Sequence, residues 1–108
     1  MGDVLPRLRF RPEAWAEIRE ARRWYEREAR GLGRAFLAEV DAALAFAQRH
    51  PRMYQALVPD GAVRRVLLHR FPYALVYEAF ADVRPAGELV VLACFHLRRE
   101  PPNWADRR

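Results

Sequence analysis

Val63-Arg64-Arg65-Val66-Leu67-Leu68, then His69-Arg70-Phe71-Pro72, then Tyr73-Ala74-Leu75-Val76-Tyr77-Glu78-Ala79 is the stretch on which the fold turns. Two short runs rich in β-branched and aromatic residues flank a four-residue break that ends in proline, the pattern of two strands joined by a turn. A third run, Leu89 to His96, follows a loop over 82–87 that holds Pro85 and Gly87. Connections this short make sequence neighbours antiparallel, so the second half reads as a three-stranded meander. Along the middle strand, alternation puts Tyr73, Leu75 and Tyr77 on one face and Ala74, Val76 and Glu78 on the other. Tyr77 and Glu78 therefore cannot serve one site together.

Upstream of the meander the period changes. From Pro12 to Ala29 apolar residues recur at helical spacing: Ala14, Ile18, Ala21, Tyr25 and Ala29. Trp15 and Trp24 widen that stripe, as core or rim of a helical pair. The opposite face, with Glu17, Arg19, Glu20, Arg23, Glu26 and Arg27, alternates in sign and reads as solvated. Gly31 and Gly33 break the helix, and a second one follows from about Leu32 to His50, ended by Pro51. Residues 52–61 read as a loop. Before the helices, Arg7-Leu8-Arg9-Phe10-Arg11 alternates with period two and predicts a half-buried strand.

The resulting order is an N-terminal strand, an antiparallel helical hairpin, then a three-stranded antiparallel meander. This is an α+β fold in which one sheet packs on the helices. Its other face is expected to stay partly open. Residues 1–108 form one domain, with 97–108 as a C-terminal tail.

Composition narrows the partners. All 19 basic side chains are arginine, and the formal net charge is +5. The guanidinium fork pairs bidentately with carboxylate or phosphate, so an acidic protein and a nucleic acid are both suitable partners. Cys94, alone in the chain, sits in an apolar run and reads as a buried small hydrophobe, which suits a reducing cytoplasm. Residues 1–11 contain no apolar leader core, and no stretch approaches the ~18 apolar residues of a membrane span. A cytoplasmic protein with no membrane contact is expected. His50 and His69 lie beside turns, and no His/Cys spacing suggests a metal site or any cofactor.

Several longer patterns resemble the RelE/ParE superfamily of bacterial type II toxins. They begin with Phe10-x-Pro12-Glu13-Ala14, Glu17-Ile18 and Ala21-Arg22-x-Trp24-Tyr25-Glu26. Gly31-Leu32-Gly33-x-x-Phe36 and Val40-Asp41 follow in the second helix. The strands add Val63-Arg64-Arg65 and Phe71-Pro72-Tyr73-x-x-Val76-Tyr77, and the end adds His96-x-x-Arg99-x-Pro101-x-x-Trp104-x-x-Arg107. The resemblance implies a toxin held in a hetero-oligomer with a cognate antitoxin. The superfamily holds two activities: RelE-like members cut mRNA on the ribosome, and ParE-like members inhibit DNA gyrase. The Phe-Pro-Tyr turn and the ending after His96 look more like the ParE branch.

RNA cleavage needs a base for the 2′-hydroxyl, an acid for the leaving oxygen, and cations for the phosphorane. In the ribonuclease reading Arg65, Arg70 and His96 would do this work. Against it, the chain has no lysine and no terminal His-Tyr pair; His96 is followed by Leu97. His96 reads better as a structural histidine that anchors the tail by hydrogen bonds. In the ParE-like reading, Arg98, Arg99 and Trp104 are candidates for target binding, unless Trp104 folds back over the sheet edge or the helical pair. Trp15, Arg22, Arg64 and Tyr73 are candidates for antitoxin binding. Arg64 and Arg65 must split between the two faces of their strand.

Overall fold

The computed structural model describes residues 4–108; the first three positions of the 1–108 domain lie outside the described residues. Helix α1 spans Pro12–Glu28 and α2 spans Leu32–Arg49. Pro12 opens α1 where a helix has no acceptor for an N–H. The hairpin between the helices needs both glycines. Gly31 adopts φ 84°, in the left-handed region. Gly33 is buried where a Cβ would lie 2.8 Å from the Arg22 carbonyl oxygen, so glycine sets how closely the helices approach. The Glu26 carboxylate accepts the backbone N–H groups of Gly31 and Gly33, at 3.0 Å each. It thereby caps the free donors at the start of α2. Those two bonds hold its carboxyl below the usual range.

Five strands form one sheet: β1 (Arg7–Phe10), β2 (Gln55–Ala56), β3 (Val63–Leu67), β4 (Tyr73–Phe80) and β5 (Glu88–His96), in the order β1-β5-β4-β3-β2. The α+β architecture with an N-terminal strand, helical hairpin and meander matches the sequence reading. Two details go beyond it. Strand β1 pairs parallel with β5, while every other pair is antiparallel. The whole hairpin lies between β1 and the meander, which gives the long connection that a parallel pair requires. The segment 52–61, read as loop, contributes β2, whose two residues pair with Arg64 and Arg65. Two residues are too few for an alternating pattern to show.

The pairing of β4 with β5 shifts between Val76 and Tyr77: Val76 faces Ala93, but Tyr77 faces Val91. Leu92 is the extra residue of a bulge. Alternation is broken there, so Val91 and Cys94 turn toward the helices while Leu92 and Ala93 both turn away. On the helix side, Ile18, Tyr25, Phe36, Val40 and Leu44 pack on Val66, Leu75, Tyr77 and Leu89. Tyr25, Phe36, Phe71 and Tyr73 form an aromatic cluster with ring centroids 4.7 to 5.9 Å apart. The Phe71-Pro72-Tyr73 motif is thus a core element as well as a turn.

The expectation of a partly open second face needs correction. The tail crosses it and ends in a 3-10 helix, Trp104–Arg107. Trp104 folds back neither on the sheet edge nor on the helices. It packs over Val63, Val76, Leu92 and Ala93 on the face opposite the helices. The bulge supplies the reason, since it delivers two adjacent apolar side chains to that face.

Two ion pairs fasten the tail. Arg107 binds both oxygens of Glu17, at 2.9 and 3.1 Å, and also donates to the Leu92 carbonyl. Arg108 pairs with Glu78 at 2.8 Å. Glu17 also accepts the Cys94 N–H at 3.0 Å. Strand β1 pairs with β5 only as far as Val91, and Arg11 donates to the Val91 carbonyl. Beyond that point Glu17 and Arg107 satisfy the next edge groups of β5, and so take the place of a strand. The same pair buckles the helical layer to the tail.

Candidate functional site

One corner of the molecule gathers residues that the sequence had assigned to different roles. Strand β4 starts and β5 ends there, so Tyr73 and His96 are register partners, with ring centroids 5.2 Å apart, edge to face. His96 Nδ1 accepts the Arg98 N–H at 3.0 Å, and the His96 carbonyl accepts the Arg99 N–H at 3.0 Å. The Leu97 N–H donates to the Pro72 carbonyl. These bonds fix a tight turn that presents Arg98 and Arg99 outward; both are exposed and neither forms an ion pair among the described residues. Trp24, on α1, stands over the corner with 44% of its surface exposed and its ring held edge-on against Tyr25.

Between α1 and this turn lies a pocket of about 260 Å³, and a second of about 220 Å³ adjoins it. Both are lined by Trp24, Tyr73, His96 and Arg99. Burial raises the Tyr73 hydroxyl above the ordinary tyrosine value, with Tyr25 adding to this and Arg99 opposing it.

A second concavity, about 620 Å³ and mostly apolar, runs between α2 and the outer edge of the sheet. Ala42, Ala43 and Phe46 of α2, Met53, and Val66 and Leu67 of β3 line it. Because β2 covers only Arg64 and Arg65, the Val66 and Leu67 positions have no strand partner on that side among the described residues. Phe46, Met53 and Leu67 are exposed. One end of the groove is polar: Glu39 accepts the backbone N–H groups of His69 and Arg70 and so closes the β3–β4 turn.

The remaining candidates are dispersed. Arg64 faces the helix side and is 9% exposed. Its guanidinium is engaged with the carbonyls of Gly61, Arg52 and Tyr54, so it anchors the loop before β3. Arg65 takes the opposite face, with Nη2 on Gln55 Oε1 at 2.6 Å and a buried Nε that has no partner among the described residues. Arg70 lies in the turn after β3, its guanidinium over the Phe71 ring. Arg65 and His96 therefore lie on opposite faces of the sheet, and the structure does not bring Arg65, Arg70 and His96 together. Trp15 is exposed near the start of α1, against Phe10 and beneath Arg19. Arg22 is exposed two turns further along that helix.

No buried nucleophile compensates. The Tyr77 hydroxyl donates to the Pro51 carbonyl at 2.7 Å, and burial pushes it up to about 12. Burial also pushes the Cys94 thiol up to about 12. Among the described residues, no three His, Cys, Asp or Glu side chains are placed to hold a metal, and no helix is long and apolar enough to cross a membrane.

Sequence reasoning missed the working carboxylates. Glu17, Glu26 and Glu39 look like ordinary surface charges in a helical pattern. Only Glu26 carried a local signal, since two glycines follow it within seven residues. Glu17 and Glu39 act on partners far away in sequence.

The arrangement of two helices on this sheet recurs in a solved structure, "Chromosomal ParDE TA system from P. aeruginosa". It matches with a TM-score of 0.61 at 18% identity, covering 86% of this chain and 97% of that one. At that identity the likeness establishes the fold. No protein of curated function matches the sequence significantly. The family model described as "ParE toxin of type II toxin-antitoxin system, parDE" matches residues 8–101, nearly the whole chain, and the protein belongs to that family.

Proposed function

We propose that this toxin acts by binding and inhibiting DNA gyrase, and that a cognate antitoxin neutralises it in a hetero-oligomer. The observation that carries this reading is the separation of Arg65, Arg70 and His96. With the first and last on opposite sheet faces, and with Tyr77 and Cys94 held protonated by burial, no acid–base pair converges on a phosphate. A toxin without such a pair acts by occupying its target. Arg98 and Arg99, exposed on a turn fixed by the backbone bonds of Leu97 to the Pro72 carbonyl and of Arg99 to the His96 carbonyl, are suited to target contact. Trp104 serves the tail, and contributes to target binding by holding that turn in place.

For the antitoxin, the apolar groove beside α2 offers a seat. The unpaired Val66 and Leu67 edge offers backbone bonds to an extended segment. A segment that continues over the hairpin would meet Trp15 and Arg22. Tyr73 would contribute only its hydroxyl edge, and Arg64 would act by shaping the loop beside the groove.

Induced expression in cells, with His96→Ala alongside, tests this reading. Filamentation and arrested replication with translation continuing are expected, and His96→Ala should remain largely toxic. Discrete new mRNA ends that vanish in the variant would replace it with the ribosome-dependent endoribonuclease.

A further inference from the structure

We propose that the corner pocket formed by Trp24, Tyr73, His96 and Arg99 binds one unstacked nucleotide, the base against Trp24 and its phosphate on the arginine turn. This goes beyond the gyrase reading and does not rest on it.

The chemistry of the walls carries the inference. Trp24 is held edge-on by Tyr25, so its position is fixed while nearly half its surface stays exposed. A fixed, exposed indole is a stacking platform for any base. Facing it are the groups a phosphate needs. His96 Nδ1 is occupied as an acceptor by the Arg98 N–H, which leaves Nε2 as the ring's donor nitrogen. The Tyr73 hydroxyl has no hydrogen-bond partner among the described residues, and it lines the same space. Arg98 and Arg99 bring two cations that no carboxylate engages among the described residues, and Arg27 stands at the rim. The acidic residues of the lining do not cancel this. Glu17 is neutralised by Arg107, and Glu20 and Glu100 offer acceptors suited to the N–H groups of a base edge. The two adjoining pockets, about 260 and 220 Å³, share their central four residues and so give one space for a base and one for a phosphate.

The ligand chemistry is a base joined to a phosphate, whether as a free mononucleotide or as one residue of a single strand. Fluorescein-labelled hexanucleotides of thymidine and uridine, and unlabelled adenosine and uridine monophosphates as competitors, distinguish these sources. Binding is read by anisotropy on the full-length toxin, and the Trp24 indole N–H is followed by NMR during the titration. Micromolar binding is expected, with the Trp24 signal shifting. Trp24→Leu and Arg99→Gln should each weaken it roughly tenfold or more, whereas Arg49→Gln, which touches none of these walls, should not. Competition by monophosphates at similar concentration assigns a free nucleotide; binding of the hexamers alone assigns a single strand. Arg99→Gln, on an exposed turn, keeps the test valid if Trp24→Leu fails to fold. No binding at millimolar ligand overturns the proposal. So does equal weakening by all three substitutions, which would mark diffuse attraction to arginine.

Discussion

The two faces of the sheet are closed in different ways. On one, two helices lay an apolar stripe and an aromatic cluster over the strands, and the contact is continuous. On the other, a dozen residues of tail cover four buried side chains with a partly buried tryptophan, fastened by Arg107–Glu17 and Arg108–Glu78. The first layer is held by burial, which is non-directional and large in sum. The second depends on a few directed bonds between partly exposed groups. The helical face is therefore the fold itself, and the tail is a strap that can loosen while the domain stays folded. The arginine turn at Arg98–Arg99 lies where the two layers meet.

The largest effect should come from the helical face. Phe36 is fully buried at the centre of the aromatic cluster. Phe36→Ala should cost about 3–5 kcal/mol, enough to lose the cooperative transition in a domain this small, as chemical denaturation will show. Arg107→Ala comes next. It removes charge-assisted bonds to Glu17 and the Leu92 carbonyl, at a cost of about 1–3 kcal/mol. Hydrogen exchange should speed up across 98–108 and at Cys94 while α1 and α2 stay protected. Uniform loss of protection would erase the contrast between the faces.

The smallest effect is predicted at Glu26. Its carboxyl is held below the usual range by the Gly31 and Gly33 N–H groups. Stability from this cap is present above the unfolded carboxylate value and is lost as pH falls through the lower folded value. Glu26→Gln should lower the melting temperature slightly at neutral pH and flatten its decline on acidification. An unchanged acid limb would mean that the cap contributes nothing.

The same contrast explains what was legible in the sequence. The helical face could be read because its signals are local: Ala14, Ile18, Ala21 and Tyr25 repeat at helical spacing, and Gly31 with Gly33 punctuate the hairpin. The tail face could not. Its cover depends on a one-residue bulge at Leu92, which reverses the alternation of β5, and on Glu17 meeting Arg107 across 90 positions. Strand β2 escaped notice because it is recruited by the edge of β3. The site divides likewise. Arg98 and Arg99 stand out in the sequence as target-binding candidates in the tail and are exposed, but the sequence could not show Trp24, Tyr73 and His96 converging beside them, since helix packing and strand register bring them together. Arg64 looked available as part of an arginine pair, yet loop carbonyls consume it.

A supercoiling assay with purified gyrase decides whether this ParE-family toxin acts by occupying gyrase through the arginine turn. Wild-type toxin at micromolar concentration should block supercoiling and leave cell-free translation running. The double substitution Arg98→Glu with Arg99→Glu, made on exposed positions outside every strand and helix, should abolish the block while the circular dichroism spectrum is unchanged. Supercoiling untouched by the wild-type protein, with translation falling instead, would overturn the gyrase proposal.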